Sequence, residues 1–361
     1  MRLQRAFAQF TTKSGLLALT VGTAGGALCF AAGIPAPWLA GSLIATIAAI
    51  YAGQGFDLPD ALRTLAFILL GIQTGTAVNG DTLERAAQWP LSLLCLAATV
   101  GLIIWACLIY YQHFRNWDRA TALFASLPGA LSMVILLAGT AGADMRRVTI
   151  SQCVRLFFLI AALPAAIVYL SPPPEPSAAT PAMASLFEII LLVALSGATG
   201  LLFERLKVPA GLILGSALAS ATLGLGGIVH GGAPNSILIP ANVILGVMIG
   251  LRFKGISWPE LRQALGDGFA GFVIAMAIAA AGAMFTSAVA GLPLALTLLA
   301  FAPGGLEAMT IMAFALHLDP AYVAAHQVAR YIGLVLLMPA MSTYLLNRGL
   351  PATRPVNVEE D

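Results

Sequence analysis

The sequence predicts an all-α polytopic membrane protein made of two homologous repeats. Three observations carry that prediction. The 361 residues are 59% hydrophobic and 9% charged, with a mean hydropathy of +0.91, whereas a soluble domain carries ~25% charged residues. Apolar runs close to the ~20 residues that span a bilayer as helix recur along the chain. The sequence also falls on itself when shifted by 175 residues.

The self-match defines the units. Gly22 and Gly25 land on Gly197 and Gly200, and "LGIQTG" (Leu70–Gly75) lands on "LGVMIG" (Leu245–Gly250). "IPAPWLAGS" (Ile34–Ser42) matches "VPAGLILGS" (Val208–Ser216) at a shift of 174. Residues 128–164 match 303–339 without a gap, and 10 of the 37 positions are identical. The informative identities are rare residues: Pro128/Pro303, Gly129/Gly304, Asp144/Asp319, Gln152/Gln327, Arg155/Arg330 and Pro164/Pro339. The repeats are expected at 1–172 and 183–350, with a stiff proline-rich linker at 173–182 and a disordered tail at 351–361. The N-terminus, with Arg2, Arg5 and Lys13 before an apolar run, has the look of a signal peptide. Its counterpart in the second repeat makes it a retained first span instead.

Each repeat contains six apolar segments, near 15–33, 36–53, 61–78, 89–111, 120–142 and 148–170, then 184–203, 209–229, 236–251, 268–290, 292–316 and 321–346. If all twelve cross, the lysines and arginines of the loops divide 8 to 8 between the two sides. If the fifth segment of each repeat dips in and returns, the division becomes 15 to 1, with Arg85 the exception. Cytoplasmic loops carry the excess of such residues, so the second count is preferred. Each repeat is then five transmembrane helices plus one re-entrant broken helix, and the odd number inverts the second repeat. The expected location is the bacterial inner membrane, with both termini cytoplasmic.

The fifth segments are the ones that carry breaks. "FASLPGALSM" (Phe124–Met133) and "FAPGGLEAM" (Phe301–Met309) place Pro128-Gly129 and Pro303-Gly304-Gly305 inside apolar runs. Proline removes a helix hydrogen bond and clashes with the preceding turn. Such backbone survives at membrane depth only against protein or a water-filled cavity, the arrangement found where broken helices meet in secondary transporters. A packed proline kink is the competing reading.

Few ionisable residues lie deep. Arg155 and Arg330 sit inside the sixth span of each repeat, each with a glutamine three residues earlier, Gln152 and Gln327, on the same helix face. A guanidinium fork matches a carboxylate or phosphate, and a half-helix starting after each break would aim its amides the same way. The alternatives are snorkelling to the headgroups or a guanidinium that satisfies hairpin carbonyls. Glu307, whose counterpart is Ser132, is a candidate to carry a coupling proton, to pair with an arginine or to cap a half-helix. His326 is a candidate proton carrier or a hydrogen-bonded interior residue. Asp144 and Asp319 read as helix caps. The four cysteines, Cys29, Cys95, Cys107 and Cys153, read as small packing residues.

These residues resemble a known family. The "IPAPWLAGS"/"VPAGLILGS" element, the "LPGALSM"/"APGGLEAM" pair and the Q..R of each last span are similar to the AbrB membrane proteins of Gram-negative bacteria. The resemblance covers about residues 15 to 346. It implies a label of regulator of gene expression or of ammonia monooxygenase. A copper monooxygenase needs a histidine-rich cluster, and the four histidines (113, 230, 317 and 326) are scattered. A transcription factor needs a basic soluble module, which is missing at a net charge of +2.

The expected function is secondary transport of a small organic anion. The alternatives are a membrane regulator that acts indirectly on gene expression, and a membrane enzyme of the monooxygenase type. The partners this implies are the lipid bilayer, a small anionic metabolite, a coupling proton or sodium ion and a second copy of the chain, but no nucleic acid. The sequence holds no cofactor signature: no Walker motif, no Rossmann glycine pattern and no zinc spacing.

Overall fold

The computed structural model describes residues 13–78, 80, 86, 89–129, 134, 137–139, 141–170, 185–208, 210–229 and 235–347. The expected linker and tail lie outside the described residues, as do Arg85 and Ser132. Every element among the described residues is helical, and no strand occurs among them. In the first half the helices are α1 (Lys13–Ala31), α2 (Pro37–Tyr51), α3 (Asp60–Thr76), α4 (Trp89–Ile109, extended by a π turn, Tyr110–Phe114), α5 (Arg119–Ser126) and α6 (Met145–Leu170). In the second they are α7 (Leu186–Arg205), α8 (Gly211–Leu225), α9 (Asn235–Gly250), α10 (Trp258–Ala290), α11 (Leu294–Phe301), α12 (Leu306–Ala315) and α13 (Pro320–Asn347).

Six helices are long and apolar enough to cross a membrane: α1, α4 with its π turn, α6, α7, α10 and α13 as far as Met338. The chain is a helical membrane protein. The second and third helices of each half are shorter, at 15, 17, 15 and 16 residues, or ~22–26 Å at 1.5 Å per residue. α3 is buried almost all round from Ala66 to Gly75, so it packs in the interior rather than against lipid.

Helix starts follow local chemistry. Asp144 accepts from the Arg146 and Arg147 amides at 3.0 and 3.1 Å. Asp319 accepts from Ala321 and Tyr322 at 2.9 and 3.2 Å. Both caps are as expected from the sequence. Ser257 and Glu260 form a capping box, with Pro259 in the first turn. This box starts α10 at Trp258, ten residues before the sequence-predicted segment. At 33 residues, α10 is ~50 Å long and exceeds the ~30 Å hydrocarbon core.

The two halves interlock reciprocally. α2 packs on α9, and α3 packs on α8. Small residues allow the approach: a Cβ on Gly246 would lie 2.6 Å from the Leu39 carbonyl oxygen, and one on Gly71 would lie 2.5 Å from that of Ile213. Local contacts recur too. Ser42 Oγ donates to the Gly22 carbonyl at 2.9 Å, and Ser216 Oγ donates to that of Ser196 at 2.8 Å. The fourth helices, α4 and α10, pack on each other, and each also packs on the sixth helix of the other half, α13 or α6.

Candidate functional site

Each half has a helix interrupted at its Pro-Gly. α5 ends at Ser126 and α11 at Phe301. The turns of chain that follow leave backbone carbonyls without helical partners, and a buried carbonyl must find one. The Q..R pairs of α6 and α13 supply it. Gln152 Nε2 donates to the Phe124 and Leu127 carbonyls at 3.1 and 2.9 Å, and Arg155 Nη2 donates to Leu127 O at 2.9 Å. Gln327 Nε2 donates to Leu299 and Ala300 at 3.4 and 3.1 Å, and Arg330 Nη1 donates to Ala302 O at 2.6 Å. Phe124/Leu299 and Leu127/Ala302 are the same positions at a shift of 175. In each half the arginine Nη2 also donates to the glutamine Oε1.

The halves then diverge. Arg330 donates a further bond from Nη2 to Gly304 O, so its fork grips both ends of the break. Arg155 commits only Nη2, and its Nε and Nη1 have no protein partner among the described residues. Both arginines are buried, at 6% and 7% exposure. Neither forms an ion pair among the described residues, where every ion pair lies elsewhere (Arg115–Asp267, Arg146–Glu260 and Arg147–Asp144).

The breaks meet. Gly129 has φ +94°, and a Cβ there would lie 3.4 Å from Gly304 O and 3.7 Å from Arg330 Nη2. A cavity of about 820 Å³ lies against this junction. It is lined by Gly129, Gln152, Arg155, Pro303, Gly304, Gly305 and Glu307. Helix ends and loops add Asp57, Asp60, Arg63, Glu204, Lys207 and Arg252 to the lining.

Of the sequence-predicted site residues, the structure therefore gathers Gln152, Arg155, Gly129, Pro303, Gly304, Gly305 and Glu307 around one cavity. Arg330 and Gln327 stand behind it, bonded to the second break. Pro128 precedes Gly129 and is buried. Glu307 sits half-buried in the first turn of α12 with no ion pair among the described residues. His326 is set apart from the cavity and fully buried. Its Nδ1 lies 2.8 Å from Tyr322 O and its Nε2 lies 2.8 Å from Ser92 Oγ. The half-helix expected after Gly129 begins at residues outside the described ones.

Sequence reasoning missed the charged residues that helix ends and loops bring to the cavity. A usable signal was present: Arg63, Lys207 and Arg252 all fall on one side in the 15-to-1 charge count. Side-chain bonds tie these loops together. Lys254 Nζ donates to Phe56 O at 2.8 Å. Arg115 and Arg146, which flank the broken fifth segment, pair with Asp267 and Glu260 near the start of α10. The Asp144 amide donates to Thr121 Oγ1 at 2.8 Å, joining the two ends of that segment.

The family model for AbrB, described as transition state regulatory protein AbrB, matches residues 7–346. The chain belongs to the AbrB family. It is 28% identical over 354 residues to the uncharacterized protein YhjN of Bacillus subtilis, an alignment that covers 89% of this chain and 90% of YhjN. It is also 28% identical over 325 residues to a protein of Escherichia coli named "Putative regulator AbrB", covering 86% and 90% of the two chains.

Proposed function

We propose that the protein is a secondary transporter of a small organic anion, with its site between two inverted repeats where Arg155 faces the second break. One observation carries this reading. Two buried guanidinium groups with no acidic partner among the described residues sit where both broken segments meet a cavity. Burying a cation costs several kcal/mol even after relaxation. Carbonyl dipoles offset part of that cost but leave the net charge in place. An anionic ligand at Arg155 would offset the rest, using the Nε and Nη1 donors that have no hydrogen bond among the described residues.

The topology has its own support. Twelve plain crossings would put Phe56 and Lys254 on opposite faces, and likewise Arg115 and Asp267. Their bonds favour a re-entrant fifth segment, and hence five crossings per repeat. The loop and helix-end residues that line the cavity then share one face. The positive-inside count makes that face cytoplasmic, with both termini inside and the protein in the bacterial cytoplasmic (inner) membrane. Any effect on gene expression, as the name of the Escherichia relative suggests, would follow from the solute moved.

The test is counterflow of labelled lactate, succinate and citrate by the full chain in liposomes. The wild type is expected to exchange at least one of them, and Arg155→Gln to slow that exchange by tenfold or more. Exchange unaffected by Arg155→Gln would remove the anion site. The absence of exchange for every anion tested would remove the transport reading.

A further inference from the structure

We propose that the coupling ion is a proton carried by the Glu307 carboxylate, and that sodium is not bound at the breaks. This rests on the transport reading above. In broken-helix transporters the unwound carbonyls coordinate Na⁺. Here six carbonyls in and beside the breaks are already engaged. Phe124, Leu127, Leu299, Ala300, Ala302 and Gly304 each accept from Gln152, Arg155, Gln327 or Arg330. The guanidinium groups occupy the position a hard cation would need, and their fixed positive charge repels a second cation there.

A coupling ion must then be held elsewhere, by a group whose charge changes. Glu307 is the one carboxylate among the described residues lining the cavity beside the breaks, next to Gly305. α13, packed against α12, contributes Arg330, Tyr331 and His326, the last turned onto Ser92. α3 contributes Asp60 and Arg63, while α9 and α11 carry no titratable side chain. Arg155, Asp57, Glu204, Lys207 and Arg252 line the same cavity.

The coupling follows from charge. With the cavity empty, ionised Glu307 offsets the uncompensated positive charge. An entering anion takes over that task and repels the carboxylate. Glu307 then takes a proton from a hydronium ion of the solution, forming one carboxyl O–H bond as the hydronium O–H bond breaks and water is left, and it returns that proton to water where the anion leaves. Anion and proton travel together, and the charge of the site is similar when empty and when loaded.

The experiment uses the full-length protein in detergent, with lactate, succinate and citrate as probes. In weakly buffered solution a pH-indicator dye is expected to report uptake of up to one proton per anion bound. Anion affinity is expected to rise at least tenfold from pH 8 to pH 6 and to be unchanged when sodium replaces choline at fixed pH. In Glu307→Gln the pH dependence should flatten, and Glu307→Asp should restore it. Sodium-dependent affinity without proton uptake, or undiminished pH dependence in Glu307→Gln, would overturn the proposal. The dye measurement on the wild type decides the matter if the Gln variant does not fold. Failure to bind any anion at either pH would overturn the transport reading itself, and the coupling with it.

Discussion

The first break, at Leu127–Gly129, and the second, at Ala302–Gly305, face matching glutamine–arginine pairs and use them differently. At the second, Arg330 bonds to carbonyls on both sides of the interruption and to Gln327, and the residue is absent from the cavity wall. At the first, Arg155 bonds to one backbone carbonyl and lines the cavity. The second break also carries Glu307, with no acidic counterpart in the first half. Matching residues at matching positions thus divide the labour. One arginine bridges both sides of a break, and the other leaves Nε and Nη1 without a hydrogen bond among the described residues.

The largest effect that would sharpen this contrast is at Arg330. Arg330→Leu strands the Gly304 carbonyl, at ~1–3 kcal/mol, and removes one of two bonds to the Ala302 carbonyl, which the Gly304 amide also reaches at 2.8 Å. The expected outcome is loss of monodisperse protein in detergent. Arg330→Lys should not rescue it, because a point charge cannot fork. Arg155→Gln should instead keep the thermal unfolding midpoint within a few degrees while losing anion exchange by tenfold or more. If the two variants behaved alike, the contrast would be broken.

The glycines come next. Gly129→Ala must adopt φ near +94°, at ~1–3 kcal/mol. Gly304→Ala meets only the flexible Met309 side chain and should cost less, as read from unfolding midpoints of the two variants. The smallest effect is expected at the caps. Asp144→Ala and Asp319→Ala should each cost about 1 kcal/mol, because both carboxylates cap two amides in the same way, although Asp144 also pairs with the exposed Arg147 at 3.3 Å.

Much of this was legible in the sequence. Hydropathy marked the helices to within a few residues, and rare identities such as Asp144/Asp319 revealed the shift at which hydrogen bonds recur. The sequence reading already held the alternative that the arginines satisfy hairpin carbonyls, and Arg330 does so fully. The difference between Arg155 and Arg330 was not legible, because identical residues with identical glutamine neighbours differ only in what packs around them. The early start of α10 was legible in Ser257-Trp258-Pro259-Glu260, but hydropathy masked it, since the first turns of that helix are polar. The pairing of α2 with α9 and of α3 with α8 has no local signal beyond glycines at helical spacing.

The central claim is that the breaks enter from opposite faces. It is tested most directly by single cysteines in a background lacking Cys29, Cys95, Cys107 and Cys153. One pair, His113→Cys and Arg146→Cys, flanks the first break at exposed positions. The other, Pro293→Cys and His317→Cys, flanks the second, also at exposed positions. An impermeant thiol reagent applied to intact cells should label both members of the second pair, and neither of the first until the membrane is opened. Labelling that differs between the members of either pair would mean that the segment crosses, and would contradict the account.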